Sequence, residues 1–337
     1  MGCVNDIGDG VKKNIKKEIL ALAGPDLLLV EQALEANLTP NLDLVRQVAG
    51  HLLFAGGKRL RPLLMIHAAR MCGFQTGQEI EFSTIFEYLH AATLLHDDVV
   101  DGSDTRRGKP CAHTLWDAPT VVLTGDFLLA TALVIAAKTK SPRVIEVIAQ
   151  ITADMSQGEI LQMEKKGNPD LSEEEYNEII ECKTAVLIQG ACRTGAIVAG
   201  VDESQETALK NYGWHLGMAF QMADDLLDYT ATADQLGKNP GADMREGKLT
   251  LPLIYSLEKA DALDREWILA AMARPQFDQE EFESLKTRLI RLGGIEYTNK
   301  RALAHVQSAR AALDIFPQSP SKYLLELIAD YSILRKV

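Results

Sequence analysis

The sequence predicts an all-α protein built as one domain over residues 1–337, with the first ~20 residues set aside as a peripheral helix or arm. Three observations carry that expectation. Apolar residues recur at spacings of three and four almost throughout, breakers fall between the periodic stretches, and no series of alternating residues marks strands. Ile15, Ile19, Leu20 and Leu22 form the first stripe, and Gly24-Pro25 reads as its end. Val45, Val48, Leu52 and Leu53 form a second, closed by Gly56-Gly57. Gly73 precedes a helical pattern that begins near Glu79 and runs into an acidic segment at Asp97. Gly108 to Pro110 and Ser141-Pro142 bound the next apolar stretch, the second of these reading as a helix start. Residues 144–163, 173–201 and 206–229 keep the helical period, with breaks at Gly167 to Pro169 and Gly237 to Gly241. Ser172 opens one of these stretches as an N-cap, and Glu173 to Glu175 put acid at the positive end of the helix dipole. Asp9-Gly10 and Asp101-Gly102 lack the β-branched flanks of a hairpin, and no Pro/Ser-rich linker divides the chain.

Composition narrows the function classes. Of 337 residues, 47% are hydrophobic, 24% charged and 6% aromatic, which excludes a disordered, collagen-like or disulfide-framework protein. A net charge of −12 argues against nucleic acid and anionic membrane as broad partners, while leaving room for local phosphate-binding clusters. Cys3, Cys72, Cys111, Cys182 and Cys192 form no C-x-x-C pair, so a reducing, cytoplasmic setting is expected. The longest nearly apolar run, Phe127 to Ala137, spans eleven residues. Crossing a bilayer takes roughly 20, so no transmembrane segment is expected. Gly2 and Cys3 do not make a myristoylation site, because position 6 is Asp6.

Two segments stand out chemically. Leu94 to Asp101 reads L-L-H-D-D-V-V-D, and Leu227 lies within the matching Q-M-A-D-D-L-L-D of residues 221–228. Each carries acids at i, i+1 and i+4, and on a helix i and i+4 lie one turn apart on the same face. Asp97 with Asp101, and Asp224 with Asp228, therefore form two carboxylate ledges, with Asp98 and Asp225 beside them. A single such motif is commonly a solvated acidic face. Here the flanks Ala91 to Leu95 and Phe220 to Ala223 are mostly apolar, so the acids emerge from buried helices and need a counter-cation. An all-oxygen donor set without cysteine suits Mg²⁺; His90 and His96 keep zinc as a rival.

Cations accompany the acids. Gly56-Gly57 leads into Lys58, Arg59 and Arg61; Arg106, Arg107 and Lys109 follow the first motif; Lys238 and Lys248 follow the second. Arginine forks grip phosphate oxygens in pairs and lysine acts as a point charge, so carboxylates and cations together imply diphosphate substrates. Upstream of the first ledge, Leu89, Ala91, Ala92, Thr93, Leu94 and Leu95 contain no aromatic. A helix running the 18 steps from Glu79 to Asp97 is about 27 Å long and could border a deep apolar tunnel.

Taken together, G-G-K-R-L-R-P, L-L-H-D-D-V-V-D, R-R-G-K-P, L-T-G-D-F-L, K-T-A, Q-M-A-D-D-L-L-D, L-G-K-N and G-K-L-T-L-P occur in the order that resembles the trans-type polyprenyl diphosphate synthases, the head-to-tail chain-elongating prenyltransferases. The match runs from roughly residue 20 to the last residue. The resemblance implies a helical bundle around a central cavity, normally a homodimer, that joins isopentenyl diphosphate to an allylic diphosphate such as farnesyl diphosphate. It implies roughly two or three Mg²⁺ ions per active site, on Asp97, Asp98 and Asp101 from one side and Asp224, Asp225 and Asp228 from the other; Asp97, Asp101, Asp224 and Asp228 are the chief ligands. It assigns Arg106, Lys183 and Lys238 to the allylic diphosphate, with Lys248 nearby. Lys58, Arg61, His90 and Arg107 form the isopentenyl diphosphate pocket, and Thr184 and Gln221 face the developing cation. The proton lost at the end goes to the released diphosphate, so no dedicated base is needed. Arg335-Lys336 could close the site, although an ordinary basic tail explains them as well.

Chain length is read from the residues before the first acid. Short-chain members commonly place a bulky aromatic four or five residues ahead of it, where this chain has Thr93 and Ala92. No two-residue insertion interrupts the motif. Both features point to a medium or long product, most similar to octaprenyl-type synthases that make quinone side chains, with the tunnel floor near Ile85, beyond Leu89, or on the helix after Asp126. Three alternatives stay open: a farnesyl or geranylgeranyl synthase, a class I terpene cyclase, and a non-catalytic subunit of a two-component synthase. The cations of the G-G-K-R-L-R-P stretch argue against a cyclase, and the six intact aspartates against a non-catalytic subunit. Ala92→Phe is expected to shorten the product; an unchanged product length on chromatography would remove the tunnel from this face of the helix.

Overall fold

A computed structural model describes residues 3–106, 108–231, 241–274 and 278–334, with side chains described from residue 14 onward. Arg107, Lys238 and Arg335-Lys336 lie outside the described residues.

The described chain is almost entirely helical. α1 (Cys3–Asn37), α2 (Asp43–Leu53), α3 (Leu60–Met71) and α4 (Gln78–Asp101) come first. A short helix α5 (Ala112–Leu115) leads to α6 (Ala118–Lys138), α7 (Pro142–Lys165) and α8 (Glu173–Ile180). A π-helical turn, Glu181–Ala185, joins α8 to α9 (Val186–Ala199), which is followed by α10 (Glu203–Thr230). The C-terminal part holds α11 (Ala242–Arg245), α12 (Leu251–Lys259), α13 (Ala262–Met272), α14 (Gln279–Arg291), α15 (Gly294–Ala312) and α16 (Pro320–Leu334).

Helix starts obey local chemistry. Ser172 accepts from the Glu175 N–H while the Glu175 side chain reaches back to the Ser172 N–H, a closed capping box at the predicted start of α8. Asp117, Asp202 and Asp261 cap α6, α10 and α13 in the simpler way. Two details differ from the sequence expectation. α1 passes through Gly24-Pro25 without ending, and the acid just beyond, Asp26, is held by Arg70 at 2.8 Å and faces His67 at 3.3 Å. Ala23, Val30 and Leu34 are fully buried, so tertiary packing on both sides of Pro25 outweighs its lost hydrogen bond. The second difference is a two-residue antiparallel pair, Thr105–Arg106 with Lys109–Pro110, turned by Gly108 at φ 74°.

Two apolar clusters share α10 and α15. The larger packs α1–α4, α6, α7, α9, the first half of α10, the end of α15 and α16, including Tyr88, Leu95, Ile148, Leu187, Tyr212 and Leu216. The smaller gathers Tyr176, Ile180, Met222, Tyr229, Leu251, Leu285 and Leu289. The last turns of α10 lie on this second cluster.

α6 qualifies the membrane expectation. The nearly apolar eleven-residue run Phe127 to Ala137 lies within a longer helix that also holds Asp126, 21 residues in all, with a window of mean hydropathy 2.0. It is long and apolar enough to cross a bilayer, and among the described helices it alone passes that test. Val121, Leu128, Ala132 and Ile135 are buried in the core, while Leu123 and Val134 are 66% and 60% exposed.

Glycines permit the closest helix contacts. A Cβ on Gly195 of α9 would sit 2.7 Å from the Met65 carbonyl oxygen and 2.8 Å from Ala68 Cβ of α3. Gly195→Ala is expected to cost about 1–3 kcal/mol by forcing α3 and α9 apart, read as a lower urea midpoint at unchanged helix content.

Candidate active site

Both acidic motifs end up in the final turns of long helices. Asp97, Asp98 and Asp101 close α4, and Asp224, Asp225 and Asp228 close α10; neither last turn contains a basic residue. The C-terminal end of a helix is the negative end of its dipole, so each trio adds charge where the backbone already repels it. Such an arrangement costs stability unless cations stand close by.

Part of that compensation is supplied by the protein. Arg106 donates from Nε and Nη2 to Asp98 Oδ1 at 2.8 and 2.7 Å, and the Cys111 thiol bonds the same buried carboxylate. Burial pushes the Cys111 thiol up to about 12, so it stays protonated. Lys248 Nζ lies 2.7 Å from Glu246 and 3.4 Å from Asp101, 147 residues away in sequence. Lys183 donates to both oxygens of Glu159 at 2.9 and 2.8 Å, and to Gln162 Oε1 at 3.4 Å. Burial pushes Asp97 up to about 6, reinforced by the charge of Glu159 and opposed by Lys183 and Arg106.

The π turn stands between the two motifs. Its consecutive residues Lys183 and Thr184 face different partners. Lys183 stands with Glu159 in the field of Asp97, whereas Thr184 donates to Gln221 Oε1 at 2.8 Å. Gln221 Nε2 then donates to Asp225 Oδ1 at 2.8 Å, and the Tyr176 hydroxyl donates to Asp225 Oδ2 at 2.6 Å. Asp225 is buried, which raises it to about 7; the two hydrogen bonds oppose that rise, and Asp224 and Asp228 add to it. Asp228 accepts the Ala242 and Asp243 N–H groups at 3.1 and 3.0 Å, which fixes the start of α11. Asp224 and Asp101 are exposed and Asp97 is half-buried.

A recess of about 120 Å³ lies beside these groups, lined among others by Lys183, Gln221, Asp225, Asp243, Lys248 and Tyr176. None of its lining residues comes from α4. Ile85, Leu89 and Ala92 are buried within the helix packing, and half-buried Thr93 donates to the His90 carbonyl at 2.9 Å. At the start of α3, Lys58 is exposed while Arg61 is half-buried, as is His90 on α4.

The donor set suits a hard cation. The acids offer oxygens only, and His96 turns away from them, contacting the Val122 carbonyl at 3.0 Å and Asp126 at 3.5 Å. Among the described residues no three His, Cys, Asp or Glu side chains form a group that could hold a metal ion. Mg²⁺ is commonly held by one or two carboxylates with substrate phosphates completing the shell, and the separate ledges fit that mode.

Residues 42–289 match the family model described as Polyprenyl synthetase. The chain belongs to the polyprenyl synthetase family. It is therefore a prenyltransferase, a chain-elongating polyprenyl diphosphate synthase, with the helical fold of isoprenoid synthases. Over 322 residues it is 38% identical to an octaprenyl diphosphate synthase of Haemophilus influenzae, covering 94% of this chain and 96% of that one. It is 35% identical over 291 residues to a geranylgeranyl diphosphate synthase of Methanosarcina mazei, covering 85% and 88%. Among solved structures, a polyprenyl synthase from Caulobacter crescentus, complexed with calcium and isoprenyl diphosphate, aligns with a TM-score of 0.89 at 38% identity, covering 95% and 98%.

Three polar groups of this polyprenyl synthase site carry weak sequence signals. Tyr176 falls on the same face as Ile179 and Ile180 and reads as core. Glu159 is as consistent with helix packing as with the site. Arg59 looks like a third phosphate ligand in G-G-K-R-L-R-P, yet it is 4% exposed and turned inward. Tyr176→Phe keeps the packing but leaves Asp225 short of one donor. It is expected to destabilise the fold by about 1–3 kcal/mol and to lower turnover, measured by urea unfolding and steady-state kinetics.

Proposed function

We propose that the protein condenses isopentenyl diphosphate with an allylic diphosphate such as farnesyl diphosphate, assisted by Mg²⁺, and makes a medium or long trans-polyprenyl diphosphate in the octaprenyl range. The observation that carries this reading is the π turn, whose consecutive residues Lys183 and Thr184 serve the two acidic helix ends.

Asp97, Asp101, Asp224 and Asp228 would hold the Mg²⁺ ions, with Asp98 and Asp225 behind them. When bound, the ions neutralise charge gathering on the departing diphosphate. Lys183 and Lys248 exchange their present carboxylate partners for phosphate oxygens of the allylic substrate, and Arg106 reaches the same diphosphate while keeping Asp98 paired. Lys58, Arg61 and His90 hold the diphosphate of isopentenyl diphosphate. Thr184 and Gln221 present oxygen dipoles to the allylic carbon as it becomes cationic. The apolar residues of α4 exclude water that would quench that cation. Arg107 and Lys238 belong to the same assignment through the family resemblance.

The chain-length reading rests on Ala92 and Thr93 in place of a bulky aromatic, and on the octaprenyl diphosphate synthase relative. A shorter product is the second reading, favoured by the geranylgeranyl diphosphate synthase relative. Leu123 and Val134 leave α6 with an exposed apolar face, which supports a homodimer. Cys72, Cys111, Cys182 and Cys192 are free thiols, in keeping with work in the cytoplasm.

Purified protein incubated with isopentenyl diphosphate, farnesyl diphosphate and Mg²⁺ is expected to yield products in the octaprenyl range after dephosphorylation, and chelation is expected to stop turnover. Products ending at farnesyl or geranylgeranyl length would favour the shorter-chain reading, and no turnover without a second chain would favour a heteromeric enzyme.

A further inference from the structure

Arg59 is a buried cation in a strained backbone position. It precedes α3 with φ 46° and ψ 35°, a left-handed conformation that non-glycine residues seldom adopt. Every part of its guanidinium is engaged. Nε and Nη2 donate to the two oxygens of Glu31 on α1 at 2.6 and 3.1 Å, Nη1 donates to Glu87 on α4 at 2.6 Å, and Nη2 also reaches the Leu53 carbonyl at the end of α2 at 2.5 Å. One side chain thus joins three helices to the loop that begins α3. Strain of this kind persists where surrounding contacts over-determine it.

The neighbours of this cation give the arrangement a purpose. Lys58 precedes Arg59 directly and Arg61 follows two residues later, while Glu87 lies three residues before His90, one turn away on the same side of α4. Gly57 leaves room for the pair: a Cβ there would stand 3.3 Å from Arg59 Nη1 and 3.8 Å from Glu87 Oε1. We infer that Arg59 is a positioning residue for the isopentenyl diphosphate pocket: its ion pair with Glu87 sets the distance between Lys58 ahead of α3, Arg61 in the first turn of α3, and His90 on α4. The inference rests on the pocket assignment made under the proposed function. Arg59 touches no substrate in this account; it acts through its neighbours.

Steady-state kinetics with each substrate varied in turn tests it, using Arg59→Lys, Gly57→Ala and Lys58→Ala beside the parent enzyme, with thermal melts to identify folded variants. Arg59→Lys and Gly57→Ala are expected to raise KM for isopentenyl diphosphate by roughly five- to tenfold while KM for farnesyl diphosphate changes less than about twofold. A purely structural role would move both constants together or neither, and either result in a folded variant overturns the inference. If Arg59→Lys does not fold, Gly57→Ala, which retains the guanidinium, decides. Lys58→Ala separates the two layers. If it raises KM for isopentenyl diphosphate and the other variants do not, Arg59 loses its role; if it leaves that constant unchanged, the pocket assignment falls and the inference with it.

Discussion

Three carboxylates at the negative end of each of two helices are held together against their own repulsion, and much of the architecture answers to that constraint. Neither α4 nor α10 supplies a basic residue in its last turn. The compensating charge comes from elsewhere: Arg106 from the two-residue ribbon after α4, Lys248 from the loop after α11, and Lys183 from the π turn. Burial raises Asp97 and Asp225, and neighbouring carboxylates add to the rise. Carboxylate oxygens gathered in this way select hard cations.

Two of these cations, Lys183 and Lys248, are paired in a way that allows exchange. Lys183 rests on Glu159 and Lys248 on Glu246, both partly exposed pairs, so a diphosphate replaces carboxylate contacts without uncovering a buried charge. Asp98, Asp225 and Asp228 differ from the acids around them. Each is almost fully buried and gripped by protein donors: Arg106 and Cys111 for Asp98, Tyr176 and Gln221 for Asp225, and the Ala242 and Asp243 N–H groups for Asp228. These buried acids anchor their helix ends, leaving Asp97, Asp101 and Asp224 to face outward.

Close helix packing makes the π turn feasible. A Cβ on Gly217 of α10 would stand 2.5 Å from Ala185 Cα, and Gly158 of α7 lies against Cys182. With glycine at both positions, α7 and α10 approach the widened turn from two sides. π turns are frequent at functional sites because the extra residue re-aims the side chains around it.

The all-α class, the helix starts at Ser141-Pro142 and Ser172, and the placement of both acidic motifs on helices were legible from spacing alone, because helical periodicity and capping are local properties. Gly24-Pro25 misled for the opposite reason: a breaker is a local signal, and the packing of Ala23, Asp26 and Val30 that overrides it is not. The π turn was invisible within residues 173–201, since one extra residue in a turn leaves the apolar period nearly intact. Arg59 shows the limit most clearly. Its residue type and loop place it with Lys58 and Arg61, yet Glu31, Glu87 and Leu53 draw it inward from three helices. Sequence determined which charges exist and on which helices they lie. Which charges face a ligand and which are spent on one another was decided only by tertiary structure, because that depends on partners up to 147 residues apart.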